Sequence, residues 1–465
     1  MAKNFKLSLP SIAVNGLELQ LGLGGIHSVD KPGIFRSENG YLLVDMDVTS
    51  YYPQAIINYE ICPDHLDTTI FISTLIGTLE DRKQYKKRKK EAVIYAALEY
   101  GLKISLNAIF GLFGYLNFML HDLLCTYKTT VVNQLWLLKL IEMLSVEYGY
   151  EVISANTDGI LLYIPEYDLV PVKCIIRAWE IETGFVMEDA YYDLYARRDV
   201  NTYLAKKSDG TIKIKGDFVP GGAYLKPYYK YDLPKHDDGC YLPIKGILKG
   251  FEFPVVAIAL QKYYLDGIDP ETTIYKHNDI YDFCFSQKMG SQYKAFLFSI
   301  DRTIITHNDK GHEYAEPRNN DVVLNKQEVQ KTLRFFVSRP SIDELGTMSG
   351  QILKKVKKEI KKVKIEVYPK QIIPTEYVEE RRINPKTGKM KKYRDKVRDR
   401  EVIPAVYREE MQEVETEAVL ASGSFVTLFN DYYPVEHFSE YNIDCQFYLQ
   451  LCMNEINKIG AINDV

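Results

Sequence analysis

Asp47-Val48-Thr49-Ser50-Tyr51-Tyr52-Pro53, at the end of the run Tyr41-Leu42-Leu43-Val44-Asp45-Met46-Asp47, decides the fold. Residues 41–47 are apolar and β-prone, as in a buried strand, so Asp47 stands where that strand leaves the sheet. A helix is expected after Pro53. A second stretch, Asn156-Thr157-Asp158-Gly159, separates the β-prone runs 151–155 and 160–164. Two such runs joined through an Asp-Gly step read as a β-hairpin that holds Asp158 at its tip. Each stretch thus ends an apolar run in a carboxylate, with Lys/Arg-rich helical sequence between the two. Phosphoryl transfer on two divalent ions about 4 Å apart needs that order, because carboxylates from separate segments must clamp the ions.

Between the two carboxylates, residues 69–90 and 91–113 read as two antiparallel helices carrying Lys and Arg on one side. Arg82 and Lys86 are spaced i, i+4 and share a face; Lys103 and Asn107 repeat that spacing and are followed by Ala108-Ile109-Phe110-Gly111. Three cations from two facing helices suit a triphosphate, Arg by a bidentate fork and Lys as a point charge. Residues 120–148 read as a long apolar helix ended by Gly149, packing material with no chemistry.

Beyond Gly216 the composition shifts, and Gly221-Gly222, Pro227, Pro234 and Pro243 mark a loop-rich domain boundary. Residues 249–266 and 324–337 read as helices. Residues 371–380 and 396–411 flank the turn Asn384-Pro385-Lys386-Thr387-Gly388 and predict a long two-stranded basic arm near 370–410.

At 465 residues the chain exceeds one core. With 46% apolar and 26% charged residues, globular order is expected. The 36 Tyr suit binding surfaces, since the ring stacks while the hydroxyl finds a partner. Seven scattered cysteines without a C-x-x-C step predict reduced thiols and no structural zinc. Residues 1–9 lack an export signal and no run approaches a membrane span, so a cytoplasmic, membrane-free protein is expected. The net charge of -5 excludes a uniformly basic coat, yet residues 354–400 hold 18 Lys/Arg against 7 Asp/Glu, an excess of 11. Such a stripe on an acidic body steers a polyanion.

Taken together, Asp47 to Pro53, Arg82 with Lys86, Lys103-x-x-x-Asn107-Ala-x-Phe-Gly111, and Thr157-Asp158 resemble motif A, the fingers cations, motif B and motif C of family B (alpha-like) DNA polymerases. The look is phage-type: Leu23-Gly24-Gly25-Ile26-His27 resembles the glycine pair near the polymerase entrance, and Asn201-Thr202-Tyr203 with Lys215-Gly216 resembles the primer-strand Lys-x-Tyr region. Lys249-Gly250 and Leu333-Arg334-Phe335-Phe336-Val337-Ser338 resemble thumb segments. The resemblance implies an α+β right-hand architecture. The palm is an antiparallel sheet plus helices in residues 1–65 and 115–225, short two-helix fingers occupy 66–114, and a large C-terminal thumb occupies 226–465. It implies two Mg²⁺, with Mn²⁺ as substitute, held by Asp47, Asp158 and the Val48 carbonyl. It places the nucleotide on Arg82, Lys86, Lys103 and Asn107, on backbone N–H groups at Ser50 and Tyr51, and over Tyr52, which blocks a 2′-hydroxyl. Gly24, Gly25, Gly111, Asn156, Tyr203 and Lys215 are implied to meet primer-template DNA, with dNTPs as substrates.

Two departures matter. Motif C of the family reads Asp-Thr-Asp-Ser, whereas Asn156 removes the first carboxylate and Gly159 the serine; Asn201-Thr202 also replaces the basic pair before Tyr203. Only 46 residues precede Asp47, so no proofreading exonuclease is expected within the chain, and a separate exonuclease subunit or other replication proteins are expected partners. Glu188 and Asp189 read either as auxiliary carboxylates or as surface acids. The competing readings are a catalytically weak or silent DNA-binding subunit of a split polymerase, and an RNA-synthesising palm, which would want a small residue at Tyr52.

Overall fold

Alternation along the strand Tyr41–Val48 sorts its side chains into two environments. Val44, Met46 and Val48 are buried with Leu137, Leu140, Ile141, Val172 and Trp179. Leu43 belongs to a separate cluster with Ile153, Leu161, Tyr192 and Tyr195. By the two-residue period of a strand, Asp45 and Asp47 share the face of Leu43 and are kept out of the main core.

The computed structural model describes residues 11–220, 253–307, 313–398, 401–429 and 441–462. The described residues divide into two compact units, one within 11–285 and 444–462 and the other within 286–429 and 441–443. In chain order the first unit contains β1 (Ser11–Val14), β2 (Leu17–Leu21), β3 (Ile26–Ser28), β4 (Gly33–Arg36), β5 (Tyr41–Val48), α1 (Tyr51–Asn58), α2 (Thr68–Arg88), α3 (Val93–Phe113) and α4 (Leu123–Glu142). There follow β6 (Glu151–Asn156), β7 (Gly159–Pro165), α5 (Leu169–Thr183), β8 (Met187–Asp199), β9 (Thr202–Lys207) and β10 (Ile212–Lys215), then α6 (Pro254–Asp266), α7 (Pro270–Lys276) and α8 (Cys445–Ile459).

The strands form one sheet in the order β1-β2-β3-β6-β7-β5-β8-β9-β10, with β4 beside β8. Every pairing in it is antiparallel. The chain is therefore a mixed α+β protein. Helices α4 and α5 cover the Val44 face, and the Trp179 indole N–H donates to the Trp136 carbonyl at 3.0 Å to lock them together.

Local chemistry explains the helix ends. Asp67 caps α2 by accepting from the Ile70 N–H at 2.9 Å, and Lys86, Lys87 and Arg88 in its last turn complement the helix dipole. Asp122 caps α4 by accepting from Leu124 and Cys125. The expected helix at 120–148 is α4 followed by a π-helical turn at Met143–Glu147, with Gly149 at φ 75° reversing the chain.

Three expectations are corrected. Helix α3 is long and apolar enough by composition to cross a membrane, although no such run was expected. Charges at Glu99 and Lys103 break its apolar character at mid-length. The expected helix at 324–337 is instead split between strands Glu313–Val329 and Thr332–Val337. The first pairs with Lys294–His307, placing Asn325 opposite Ser299 and Gln327 opposite Leu297, and the second pairs with Val426–Leu428. Tertiary pairing overrides the local helix preference of Lys and Gln there. The expected arm strands 371–380 and 396–411 are interrupted at Pro374 and Pro404, which cannot donate to a ladder. The joint expected at residues 221–243, the Lys249-Gly250 segment and the start of the helix expected at 249–266 lie outside the described residues; its remainder is α6.

In the second unit, Met348–Tyr368 pairs with Val406–Val419. Beyond the short pair Gln371–Ile373 and Glu401–Ile403, strands Glu376–Ile383 and Met390–Arg398 close the arm around the expected turn.

A buried ion pair ties β8 to the segment after β3. Arg197 Nη1 lies 3.3 Å from Asp30 Oδ2, with both side chains almost fully buried, and its Nε donates to the Lys31 carbonyl at 2.9 Å. Asp30 also accepts from Ser28 and from Ser154 at 2.6 Å. Burial raises the Asp30 pKa and Arg197 opposes that. Arg197→Met would leave a buried carboxylate without its counter-charge, so we expect a loss of about 3–5 kcal/mol in urea unfolding; an unchanged midpoint would refute the pair's structural role.

Candidate functional site

The hairpin β6–β7 brings the two carboxylates together through backbone pairing. Asp47 on β5 is the register partner of Gly159 on β7, and the Val48 N–H donates to the Asp158 carbonyl at 2.7 Å. Thr157 has φ 60°, and the Asp158 N–H donates to the Asn156 carbonyl at 2.6 Å, closing a three-residue turn. Gly159 is sterically required: a Cβ there would lie 2.0 Å from Asp47 Oδ1 and 2.9 Å from the Met46 carbonyl. The serine of motif C would therefore displace the Asp47 carboxylate as it stands.

A cleft of about 310 Å³ is lined by Asp45, Asp47, Asn156, Asp158, Gly159, Tyr192, Tyr203, Lys213 and Lys215, among others. Asp45, Tyr192 and Lys213 were missed by the sequence reading. Lys213 Nζ lies 3.1 Å from Asp45 Oδ2 and 3.9 Å from Asp47 Oδ2, and the Tyr192 hydroxyl also donates to Asp45. Period two would have found the first and last of these. Asp45 is two residues from Asp47 on one strand, and Lys213 is two from Lys215. Nothing in the sequence marks Tyr192.

The electrostatics are those of a crowded anionic site with a resident cation. Half of the Asp47 side chain meets solvent. Even so, the surrounding sheet atoms, then Asp45, push its pKa up to about 7, with Lys213 opposing and Asp158 adding to the rise. Burial raises Asp158 as well. Burial disfavours the charge on Lys213, but Asp45, Tyr192 and Asp47 outweigh it and hold the ammonium above its usual range. Lys215 is lowered by burial and by Lys213.

Behind β5 the chain turns into α1 through Ser50, whose φ of 53° makes it a left-handed N-cap without a side-chain cap bond. Arg82 Nη1 donates to Ser50 Oγ at 2.7 Å and its Nε to Glu99 at 3.1 Å. Lys86 pairs at 2.7 Å with Glu188, the register partner of Asp47 on β8. A second cavity of about 420 Å³ is lined by Thr49, Ser50, Arg82, Lys83, Lys86, Lys87 and Glu188 among others. The Tyr51 ring is buried against Phe185, with centroids 4.8 Å apart, so only its backbone is available at the site. Tyr52 stacks on Phe110 at 4.5 Å, and its hydroxyl donates to the Gly24 carbonyl.

Gly25 packs against Thr157, where a Cβ would lie 2.8 Å from the threonine methyl, and the Thr157 N–H donates to the Ile26 carbonyl at 2.7 Å. Asn156 Nδ2 reaches the Val200 carbonyl at 3.5 Å. The Tyr203 ring lies 5.3 Å from that of Tyr195, with Lys215 as its register partner.

Lys103 and Asn107 are exposed and line neither cavity. By helical spacing they share a face of α3 with Glu99, which holds Arg82, and with Phe110, which holds Tyr52. They therefore lie between two points where α3 is fixed. Gly111 is exposed, and a Cβ there would meet nothing within 4 Å, so the fold itself does not require glycine.

Among the described residues no group of three or more His, Cys, Asp or Glu side chains converges as a metal cage. The carboxylate donors left to the cleft are Asp47 and Asp158, since Asp45 is engaged by Lys213 and Tyr192. That set suits a hard cation that keeps waters and takes phosphate oxygens, and does not suit a closed structural zinc site.

No protein-family model matches the chain. It is similar to the DNA polymerase of Thermococcus sp. (strain 9oN-7), 28% identical over 211 residues that cover 39% of this chain and 27% of that protein. It is also similar to DNA polymerase 1 of Pyrococcus abyssi (strain GE5 / Orsay), 27% identical over 214 residues with the same coverage, and to the DNA polymerase of Desulfurococcus sp. (strain Tok), 26% identical over 158 residues, 28% of this chain and 20% of that one. The chain thus spans about a quarter of the length of the curated relatives it matches. Among solved structures, the family B DNA polymerase of the archaeon Pyrobaculum calidifontis aligns over 69% of this chain and 42% of its own, with a TM-score of 0.36 and 14% identity.

The raised pKa of Asp47 gives a signed expectation for metal-free protein. A carboxyl raised in the folded state contributes stability that is present below its ordinary pKa and lost as pH rises through about 7. In EDTA, Asp47→Asn should therefore gain thermal stability relative to the parent between pH 5 and pH 8. A gap between the two melting temperatures that does not widen with pH would contradict the crowding argument.

Proposed function

We propose that the chain is the catalytic core of a template-directed, primer-dependent DNA polymerase of the family B, phage type. In this reading the β1–β10 sheet with its helices is the palm, α2 and α3 are the fingers, and residues 226–465 supply the thumb. The observation that carries the proposal is the pairing of Asp47 with Gly159 and of Val48 with Asp158, which sets two carboxylates side by side in a cleft bordered by Lys213, Lys215 and Tyr203. Similarity to archaeal DNA polymerases supports the same class of chemistry, with primer-template DNA and dNTPs as substrates.

The roles follow from placement. Asp47, Asp158 and the Val48 carbonyl hold the divalent ions. Two bound Mg²⁺, or Mn²⁺ in their place, would supply activation of the primer 3′-oxygen and neutralisation of the leaving pyrophosphate. Arg82 and Lys86, already turned toward Ser50 and Glu188, exchange those contacts for triphosphate oxygens, and the free N–H groups at the start of α1 add dipole and donors. Lys103 and Asn107, exposed between the two fixed points of α3, face the nucleotide. Tyr52, fixed by Phe110 and Gly24, forms a rigid floor against a 2′-hydroxyl. Lys215 and Tyr203 hold the primer strand. The gain over the uncatalysed reaction comes from positioning and charge neutralisation.

The alternative, a DNA-binding subunit without chemistry, draws on Asn156 and on the Lys213 ammonium that already reaches Asp47. Primer extension with Mg²⁺ separates the two. The parent chain should add dNTPs in preference to NTPs, while Asp47→Ala and Asp158→Ala should lose extension by at least about a thousandfold and keep DNA affinity. Near-parental rates in either variant would refute the assignment. Lys103→Ala should raise KM for dNTPs and lower kcat; unchanged values would remove it from the nucleotide site.

A further inference from the structure

The cleft holds a hydrogen-bonded triangle that the roles above leave unused. Lys213 Nζ donates to Asp45 Oδ2 and to the Tyr192 hydroxyl, each at 3.1 Å, and that hydroxyl donates in turn to Asp45. The three side chains come from β10, β5 and β8, and in the sheet β10 is three strands away from β5. At about 4.8 Å between neighbours, a flat sheet would hold those two strands about 14 Å apart, more than a lysine and an aspartate side chain span together. The sheet therefore curls across β8 and β9, and Lys213 closes the curl over Asp45.

A structural tie would need nothing more, yet the ammonium reaches further. It has three donors, and two are spent on Asp45 and Tyr192. Nζ also lies 3.9 Å from Asp47 Oδ2. The two carboxylates differ in access: the Asp45 side chain is 13% exposed and the Asp47 side chain 51%. Asp45 is thus the enclosed anchor, and Asp47 the outer, exchangeable partner. The rings of Tyr192 and Tyr203, with centroids 5.9 and 6.0 Å from Nζ, flank the ammonium and favour a cation at that place.

A charge fixed beside Asp47 acts on any other cation that this carboxylate takes up. A divalent ion on Asp47 and Asp158 would lie within a few ångströms of Nζ, too close for dissolved salt to screen the repulsion. Lys215 lines the same cleft and adds to the positive field. Because lysine is a compact point charge on a flexible stem, it can withdraw from Asp47 while keeping its bond to Asp45.

We propose that Lys213 is a positioning residue that competes with divalent cations for Asp47. Anchored on Asp45 and Tyr192, its ammonium raises the concentration of free cation that the cleft needs, a role that rests on the proposed function only in taking Asp47 and Asp158 as the ion's ligands.

Mn²⁺ alone, titrated into the full chain without DNA or nucleotide and followed by the electron paramagnetic resonance of the free ion, provides the test. Lys213→Met should bind Mn²⁺ at least about tenfold more tightly than the parent. Mn²⁺ should also raise the melting temperature of that variant by more than it raises the parent's. Asp45→Asn, which frees Lys213 to engage Asp47 fully, should bind Mn²⁺ more weakly than the parent. A purely structural tie gives weaker binding in both variants. Should Lys213→Met fail to fold, Lys213→Gln, which keeps a hydrogen-bond donor for Asp45, carries the same expectation. Affinity in the Lys213 variant equal to the parent's or weaker would overturn the inference. Asp47→Asn combined with Asp158→Asn is the control. Loss of Mn²⁺ binding in the control, beside an unchanged affinity in the Lys213 variant, would refute the competition and leave the polymerase reading standing, whereas parental binding in the control would refute both.

Discussion

Everything in the site depends on the register of β5 between β7 and β8. Antiparallel pairing sets Asp47 opposite Gly159 on one side and Glu188 on the other, while the two-residue period sends Val44, Met46 and Val48 into the helical core. A slip by one residue would exchange those faces, burying two carboxylates in hydrocarbon and exposing the apolar set. The burial of three large apolar side chains therefore fixes where the acids point. The tight hairpin supplies the second acid, and the missing side chain of Gly159 supplies the space in which Asp47 sits.

Around those acids the protein arranges cations that are already paired. Lys213 is held by Asp45 and approaches Asp47, Arg82 is shared between Ser50 and Glu99, and Lys86 is held by Glu188. Pre-paired groups are positioned without large rearrangement, and of these pairs Lys86–Glu188 is the most exposed and the weakest held. Asp45 adds a third carboxylate to the cleft, from β5 and in the grip of Lys213 and Tyr192.

Much of this was legible in the sequence. The strand at residues 41–47, the hairpin around Asp158, the helix pair α2 and α3, and the face shared by Arg82 and Lys86 all follow from periodicity and turn chemistry. What was not legible needed a partner. Residues 324–337 carry helix-forming Lys and Gln, and only the strands beside them decide their state. The 354–400 segment reads as basic until its acidic partner strand lies next to it. Tyr192 gives no local signal, whereas Asp45 and Lys213 were readable by the period of two.

Asp47 and Asp158 are proposed to hold divalent ions jointly beside a nucleotide. Anomalous diffraction from crystals grown with Mn²⁺, primer-template DNA and a non-hydrolysable dNTP tests it most directly. Peaks in contact with both carboxylates and the triphosphate oxygens are expected. Mn²⁺ bound elsewhere, with Lys213 still engaging Asp47 in the ternary complex, would contradict it.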